Sequence, residues 1–175
     1  MLDLSSSAST LRRKNLKYVA FPGQKETVFE KKPGVHSVEI ESGFSQVCIF
    51  GLSQSLSRIQ MLEYLAKNKI NIDFLKLTID GLSFIIKDQD YSKVESIFEE
   101  LDCNCKISPN RSILVVHAVN LRDEEGLIAE ILAMAVVLGV ELDHVGDTHN
   151  KLLLVTSSEQ TELLSEKIQK ELIWQ

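Results

Sequence analysis

Asparagine and aspartate stand close together at a point where the sequence predicts the start of a strand. In NKINIDFLKLTIDG (residues 68–81), Asn71 and Asp73 alternate with apolar residues at the spacing of a β-strand. A carboxylate accepts hydrogen bonds from an ammonium group, and a side-chain amide can bond to either charged end of a small ligand. A solvent-exposed strand that begins with polar residues would show the same pattern. These residues by themselves leave both interpretations open.

The same junction occurs again seventy residues further along the chain. In VLGVELDHVGDTHNKLLLV (137–155), Glu141 and Asp143 occupy the places of Asn71 and Asp73. Apolar residues keep this offset as well, since Leu62, Leu82 and Phe84 correspond to Leu132, Leu152 and Leu154. A constant offset predicts a duplicated structural module, although few of the paired residues are identical.

The stretch DHVGDTH contains a second group of candidate ligands. Because a strand alternates its sides, Asp143, Asp147 and His149 would share one face while His144 points to the other. Three such side chains could hold a metal ion, but a polar, exposed strand is the simpler interpretation. No Ser/His/Asp or Cys/His set has a recognisable motif around it. We therefore predict no catalytic residue, no metal and no cofactor.

The first module, residues 44–110, is predicted to have the order βαββαβ. Its strands and helices are, in chain order, FSQVCIFGL, RIQMLEYLAKNKI, INIDFLKL, LSFIIKD, YSKVESIFEEL and CNCKIS. Asp80-Gly81 predicts a hairpin turn, and Pro109-Asn110 is expected to end the module.

The second module, residues 111–175, repeats this order but lacks a last strand. A spare strand precedes the first module, because VHSVEIES (35–42) alternates in the manner of a strand. We therefore predict that residues 35–43 complete the second module, which avoids an open hydrophobic edge. The first module would then be inserted into the second. Residues 1–34 are predicted to be an arm or linker, partly disordered.

The strand after Asp73 is apolar on both of its faces. Ile72 and Phe74 are expected to point one way. Leu75, Leu77 and Ile79 are expected to point the other way. A single module needs only one buried face, so the second face is predicted to meet another module or a second chain. A local bulge is the alternative.

Composition restricts the class of partner. The net charge of −6 argues against binding to nucleic acid. No apolar segment is long enough to predict a membrane span, and no signal peptide follows Met1. Three cysteines without a secretion signal predict reduced thiols and a cytoplasmic protein.

The run of strand, polar loop, helix, INID and returning strand in residues 47–86 resembles the tandem ACT domains of aspartate kinase regulatory regions. The resemblance covers residues 35–172. It implies an α+β fold of two ferredoxin-like βαββαβ modules, the first inserted into the second, with antiparallel sheets and helices on one face. It also implies an allosteric sensor of a small amino acid such as lysine or threonine, which forms a homodimer through its ACT modules. The kinase domain has no counterpart in this sequence, so a separate catalytic kinase chain is an expected partner.

The resemblance also assigns roles to residues. Asp73 would accept the ammonium of the effector, and the N–H groups at the start of the first helix would bind its carboxylate. The implied effector-binding residues are Gln54, Ser55, Leu56, Ser57, Arg58, Asn71, Ile72, Asp73, Thr78, Gly126, Glu141 and Asp143.

One departure from the family pattern supports a different function. The family has a glycine in the turn before the first helix, where this chain has Leu56-Ser57-Arg58. The second module keeps such a glycine at Gly126. The alternative is an ACT interaction and oligomerisation module that binds no ligand. An independent enzyme is the least supported reading.

Overall fold

The computed structural model describes residues 34–52, 55–101, 104–119 and 121–173. The predicted arm lies outside these residues except for Gly34. The elements are β1 (Gly34–Ile49), α1 (Ser55–Lys67), β2 (Asp73–Leu77), β3 (Leu82–Lys87), α2 (Tyr91–Glu100), β4 (Cys105–Val119), α3 (Leu127–Val137), β5 (His144–Asp147), β6 (Lys151–Ser157) and α4 (Ser158–Leu172), with a short 3-10 helix at Asp88–Asp90. Strands and helices share one chain with antiparallel pairing, which confirms the α+β class.

Six strands in the described residues form one antiparallel sheet in the order β2-β3-β1-β4-β6-β5. Residues 44–49 of β1 pair with β3, and nearly the whole of β1 pairs with β4. The two strands predicted on either side of Phe44 are therefore one continuous strand. The expectation of separate sheets is corrected to a single sheet, because β1 and β4 are long enough to serve both of its ends.

β4 continues through Pro109 and Asn110, where the sequence predicted an end. Residues 108–111 of β4 stand opposite residues 44–46 of β1, so β4 carries an extra residue there. Asn110 adopts a left-handed conformation with φ 57. A bulge tolerates a proline because the extra residue is not needed for ladder hydrogen bonds. Pro109-Asn110 therefore marks an irregularity within the strand and does not end it.

Helices pack on one face of the sheet and form two hydrophobic cores. The first core, under α1 and α2, includes the buried residues Val47, Ile49, Met61, Leu65, Leu82, Phe84, Val94 and Phe98. The second core, under α3 and α4, includes Leu114, Val116, Ile131, Ala135, Leu152, Leu154, Leu164 and Ile168. Each fully buried side chain of this size contributes about 1.5–3 kcal/mol. For each apolar pair related by the offset of seventy, one residue lies in the first core and the other lies in the second.

The opposite face of the sheet carries a third hydrophobic group, which we call the inner cluster. Its members are Phe44, Phe74, Ile85, Ile113, Val115, Leu153 and Val155. They come from the β2-β3 end of the sheet as well as from the β4-β6 end. The inner cluster therefore joins the two ends of the sheet on the face away from the helices.

β2 contains the bulge that the sequence left as an alternative. Its pairing with β3 shifts register between Asp73 and Lys76, and Phe74 has a left-handed φ of 52. Ile72 packs on the first core, whereas Phe74 packs in the inner cluster. The prediction that these two side chains point the same way is wrong, because the bulge interrupts the alternation. Leu77 remains 61% exposed at this edge of the sheet.

Candidate functional site

The first strand entrance, which we define as Asn71–Asp73, is open to solvent. Asn71 and Asp73 are exposed, and Ile72 is half-buried against the first core. Neither polar side chain forms a hydrogen bond or an ion pair with any residue that the structure describes. The carboxylate of Asp73 is therefore available to a cationic group from outside the chain.

The start of α1 lies at the other end of β2. Leu77 and Ile49 both pair with Leu82, so the loop that leaves β1 runs beside the turn that follows β2. Asp73, by contrast, pairs with Ile85. The β3 partners of Asp73 and Leu77 are three positions apart, which corresponds to about 10 Å.

Hydrogen bonds hold this loop and turn together. The N–H of Leu52 donates to the carbonyl oxygen of Asp80 at 2.8 Å. The guanidinium of Arg58 donates to the carbonyl oxygen of Ile79. Thr78 lies in the same turn, so the structure places it beside the first turn of α1.

The predicted effector residues of the first module therefore form two groups. Arg58 and Thr78 lie at the loop-and-turn end of β2, where α1 begins at Ser55. Ser57 is half-buried in this first turn, Leu56 is its neighbour in the helix, and Gln54 lies outside the described residues. The second group is the first strand entrance. Within one chain, the register of β2 keeps the two groups apart.

The second strand entrance, Glu141–Asp143, is engaged in contacts within the chain. Oδ2 of Asp143 lies 2.7 Å from Nε of Arg111, in ion-pair contact but without the alignment of a hydrogen bond. Their side chains are only 19% and 21% exposed. Glu141 is exposed, yet its N–H donates to Oε1 of Gln160 and its carbonyl oxygen accepts from the hydroxyl of Thr156. The carboxylate of Asp143 is thus already neutralised.

Gly126 is the residue immediately before α3. Its carbonyl oxygen accepts a hydrogen bond from the N–H of Glu130 at 2.9 Å, and its φ is 87. The glycine that the resemblance singled out is therefore the N-terminal cap of α3, in a conformation that favours glycine. At the offset of seventy Gly126 corresponds to Leu56, so the predicted turn Leu56-Ser57-Arg58 is corrected to the first turn of α1. The loop between β1 and α1 has its own glycine, Gly51, with φ 77.

A cleft of about 460 Å³ lies between β2 and β5. It is lined by Phe74, Leu75, Lys76, Leu142, Asp143, His144 and Val145. His144 is 6% exposed, and its Nε2 lies 3.0 Å from Oγ of Ser83. Burial lowers the pKa of His144, which favours the neutral imidazole at neutral pH.

Sequence reasoning missed the contacts of His144, although it placed this side chain away from Asp143. The partner Ser83 lies on β3, sixty-one residues away. The offset of seventy matches Phe74 to His144, and this was the only sequence signal that related residues on the two walls of the cleft.

No three His, Cys, Asp or Glu side chains in the described part of the chain form a group that could hold a metal ion. Asp147, one of the three candidates, instead pairs with Arg122 at 2.7 Å. Among the same residues, no helix has the length and apolar character needed to cross a membrane.

Comparison with known proteins gives a clear result for structure alone. No protein-family model matches the chain, and no curated protein matches it by sequence. Solved structures do match. The regulatory subunit of aspartate kinase from Thermus thermophilus, in its ligand-free form, is 14% identical with a TM-score of 0.69, and the match covers 78% of this chain and 97% of that one.

Two further structures agree with this match. A structure of aspartokinase alpha and beta subunits is 15% identical with a TM-score of 0.71, covering 78% of this chain and 97% of the matched chain. Escherichia coli aspartokinase III, in complex with lysine and aspartate, is 14% identical with a TM-score of 0.64, and the match covers 81% of this chain but 34% of that enzyme. The chain therefore has the fold of the regulatory subunits and regulatory regions of aspartate kinases.

Proposed function

We propose that this chain is the amino-acid-sensing regulatory part of an aspartate kinase, with lysine or threonine as its effector and a catalytic kinase chain or domain as its partner. The fold supports this role, and one similar enzyme was crystallised with lysine and aspartate. The observation that carries the proposal is the exposed carboxylate of Asp73, which has no partner among the described residues and lies where the resemblance predicts the effector ammonium.

The proposal includes two ACT modules, with residues 44–110 inserted between residues 35–43 and 111–175. The strand pairing supports this division. Residues 34–42 of β1 pair with β4 over residues 112–119, next to β6, whereas residues 44–49 pair with β3. Each module then has four strands, and neither is left with the open edge that a three-stranded version would have.

The first module is the better candidate for the effector site. An ammonium group that approached Asp143 would have to displace the guanidinium of Arg111, which lies 2.7 Å from the carboxylate. Asp73 has no such competitor among the described residues. A charge-assisted hydrogen bond is about twice as strong as a neutral one, so an open carboxylate offers the larger gain.

A homodimer would bring the two groups of predicted site residues together. β2 is an edge strand, and Leu75 and Leu77 are 44% and 61% exposed on it. If β2 pairs in antiparallel fashion with β2 of a second copy, centred on Leu75, residue 73 of one copy faces residue 77 of the other. Asp73 then lies beside Thr78 and the start of α1 of that second copy. The effector ammonium would bind to one copy and its carboxylate to helix N–H groups of the other.

Calorimetric titration with lysine and with threonine tests the proposed binding. We expect saturable binding of one of them and a rise in melting temperature. A ligand at 100 times its Kd adds about 2.7 kcal/mol to the free energy of unfolding. If neither amino acid gives either signal, the proposed function is wrong.

The composite site is tested by charging the β2 edge. Leu77→Glu places a carboxylate opposite Asp73 of the second copy. We expect the repulsion to give monomers in sedimentation velocity and to abolish effector binding. Leu163→Glu is the matched control, because Leu163 is 46% exposed and lies on α4, which packs over the second core. A Leu77→Glu monomer that keeps wild-type affinity would show that the site is complete within one copy.

A second candidate function is an interaction module that binds no effector. Leu56 in place of a glycine at the position that corresponds to Gly126, and the exposed apolar edge of β2, favour it. This candidate predicts the same dimer and the same loss of dimer in Leu77→Glu, but no heat of binding with any amino acid. Co-expression with the catalytic kinase chain would then give a complex whose activity does not respond to lysine or threonine.

A further inference from the structure

The two strand entrances are connected by a contact on the face of the sheet away from the helices. Phe74 directly follows Asp73 in the chain, and His144 directly follows Asp143. The two ring centroids lie 6.1 Å apart, with an interplanar angle of 53°. Phe74 and His144, which follow the two aspartates in the chain, are therefore in contact with each other across the cleft.

Phe74 is held in an unusual conformation. Its φ of 52 is rare for a bulky residue, and such conformations persist only where the surroundings impose them. The ring lies in the inner cluster and against Gly146 of β5. The ring is half-buried and also lines the cleft, but on the side of Gly146 it is in contact with β5, so it cannot move in that direction without displacing the strand.

Gly146 provides the space for this ring. A Cβ added at Gly146 would lie 3.1 Å from Cε1 of Phe74, closer than ordinary van der Waals contact. The backbone of Gly146 is outside the left-handed region, so its own conformation does not require glycine. Glycine inside a strand is unfavourable unless another group approaches closely. Here the approaching group is the ring of Phe74.

We propose that Phe74, Gly146 and His144 form a coupling junction, through which β5 positions Asp73 and through which a ligand bound at the first strand entrance shifts β5. The inference rests on the proposed binding of an amino acid at Asp73. Any change in the backbone of Asp73 turns the adjacent Phe74, whose ring has no spare space against Gly146. His144 takes part in the same contact and is anchored to β3 by Ser83. The displacement therefore reaches the residue next to Asp143.

Gly146→Ala is the sharpest probe of the coupling junction. The added methyl group forces the ring of Phe74 to move by a few tenths of an ångström, yet Gly146 lies on a different strand from Asp73. We expect the Kd for lysine or threonine to change by about 2- to 30-fold. The control is Val137→Ala on α3, which removes carbon from a residue that is 80% exposed and should leave the Kd unchanged.

A double-mutant cycle separates coupling from independent effects. Phe74→Leu keeps an apolar side chain but removes the ring, so Gly146→Ala should add no further change in affinity on that background. Without any ligand, amide hydrogen exchange of residues 73–77 should be faster in Gly146→Ala than in wild type, and unchanged in Val137→Ala. Additive effects on affinity would show that Phe74 and Gly146 act separately, against the inference.

The outcomes distinguish this inference from the proposed function. If wild type binds lysine or threonine and Gly146→Ala binds with equal affinity, the coupling junction is wrong and the sensing role stands. If wild type binds neither amino acid, the proposed function is wrong and the inference falls with it. A Gly146→Ala variant that does not melt cooperatively transfers the affinity test to Phe74→Leu, for which an unchanged Kd is again the contradicting result.

Discussion

Replacing Asp73 by asparagine separates a binding role from a structural one. The change removes the negative charge and keeps the shape of the side chain. Asp73 is exposed and has no side-chain partner among the described residues, so the free energy of unfolding should change by less than about 0.5 kcal/mol. The effector would lose a charge-assisted hydrogen bond worth about 1.5–3 kcal/mol, which raises its Kd about 10- to 150-fold.

Asp143→Asn is the matched change in the other module and should behave in the opposite way. It leaves the guanidinium of Arg111, 21% exposed, without its ionic partner. Breaking a fully buried pair costs about 3–5 kcal/mol and an exposed pair about 0–1 kcal/mol. For a pair that is about four-fifths buried we expect a loss of about 1–3 kcal/mol of stability, with the effector Kd changed by less than about threefold.

Both variants are measured by urea unfolding and by calorimetric titration with the same effector. The expected pattern is lost affinity with kept stability for Asp73→Asn, and the reverse for Asp143→Asn. Wild-type affinity in Asp73→Asn would refute the assignment of the ammonium to that carboxylate. Lost affinity in Asp143→Asn, without lost stability, would move the site to the second strand entrance.

Three further predictions concern stability. Because burial lowers the pKa of His144 in the folded state, the unfolded chain binds the proton more tightly. The free energy of unfolding should be full above about pH 6.5 and fall below it, by at most about 1.4 kcal/mol per pH unit. An unchanged pH dependence in His144→Gln would contradict this origin. Gly81→Ala places a Cβ 1.9 Å from the carbonyl oxygen of Ile49, so urea unfolding should show a loss of about 3 kcal/mol or more, and a wild-type midpoint would show that the backbone can yield. A chain that begins at Phe44 lacks the partners of residues 112–119 in β4 and should aggregate or melt earlier, as followed by light scattering. Wild-type melting would argue against the inserted topology.

The site was only partly predictable from the sequence. The polar residues at 71–73 and 141–143 were found because a strand start and a repeat are visible in the order of residue types. On residue type and position alone, the carboxylates of Asp73 and Asp143 were equal candidates for the effector ammonium. The structure distinguishes them, because Arg111 neutralises Asp143. That contact joins residues thirty-two positions apart, and no local pattern predicts it.

The order of residue types predicted the helices, the segments that form strands, the duplication at an offset of seventy and the hairpin at Asp80-Gly81, since these depend on residues that are neighbours in the chain. Three features depend on the folded chain: β1 and β4 each run without a break, β2 bulges at Phe74, and this ring meets His144. The two sets of features differ in how far apart in the chain the interacting residues are. Turn and helix preferences act over a few residues, whereas the course of a long strand and the direction of a bulged side chain depend on which distant residues pack against them.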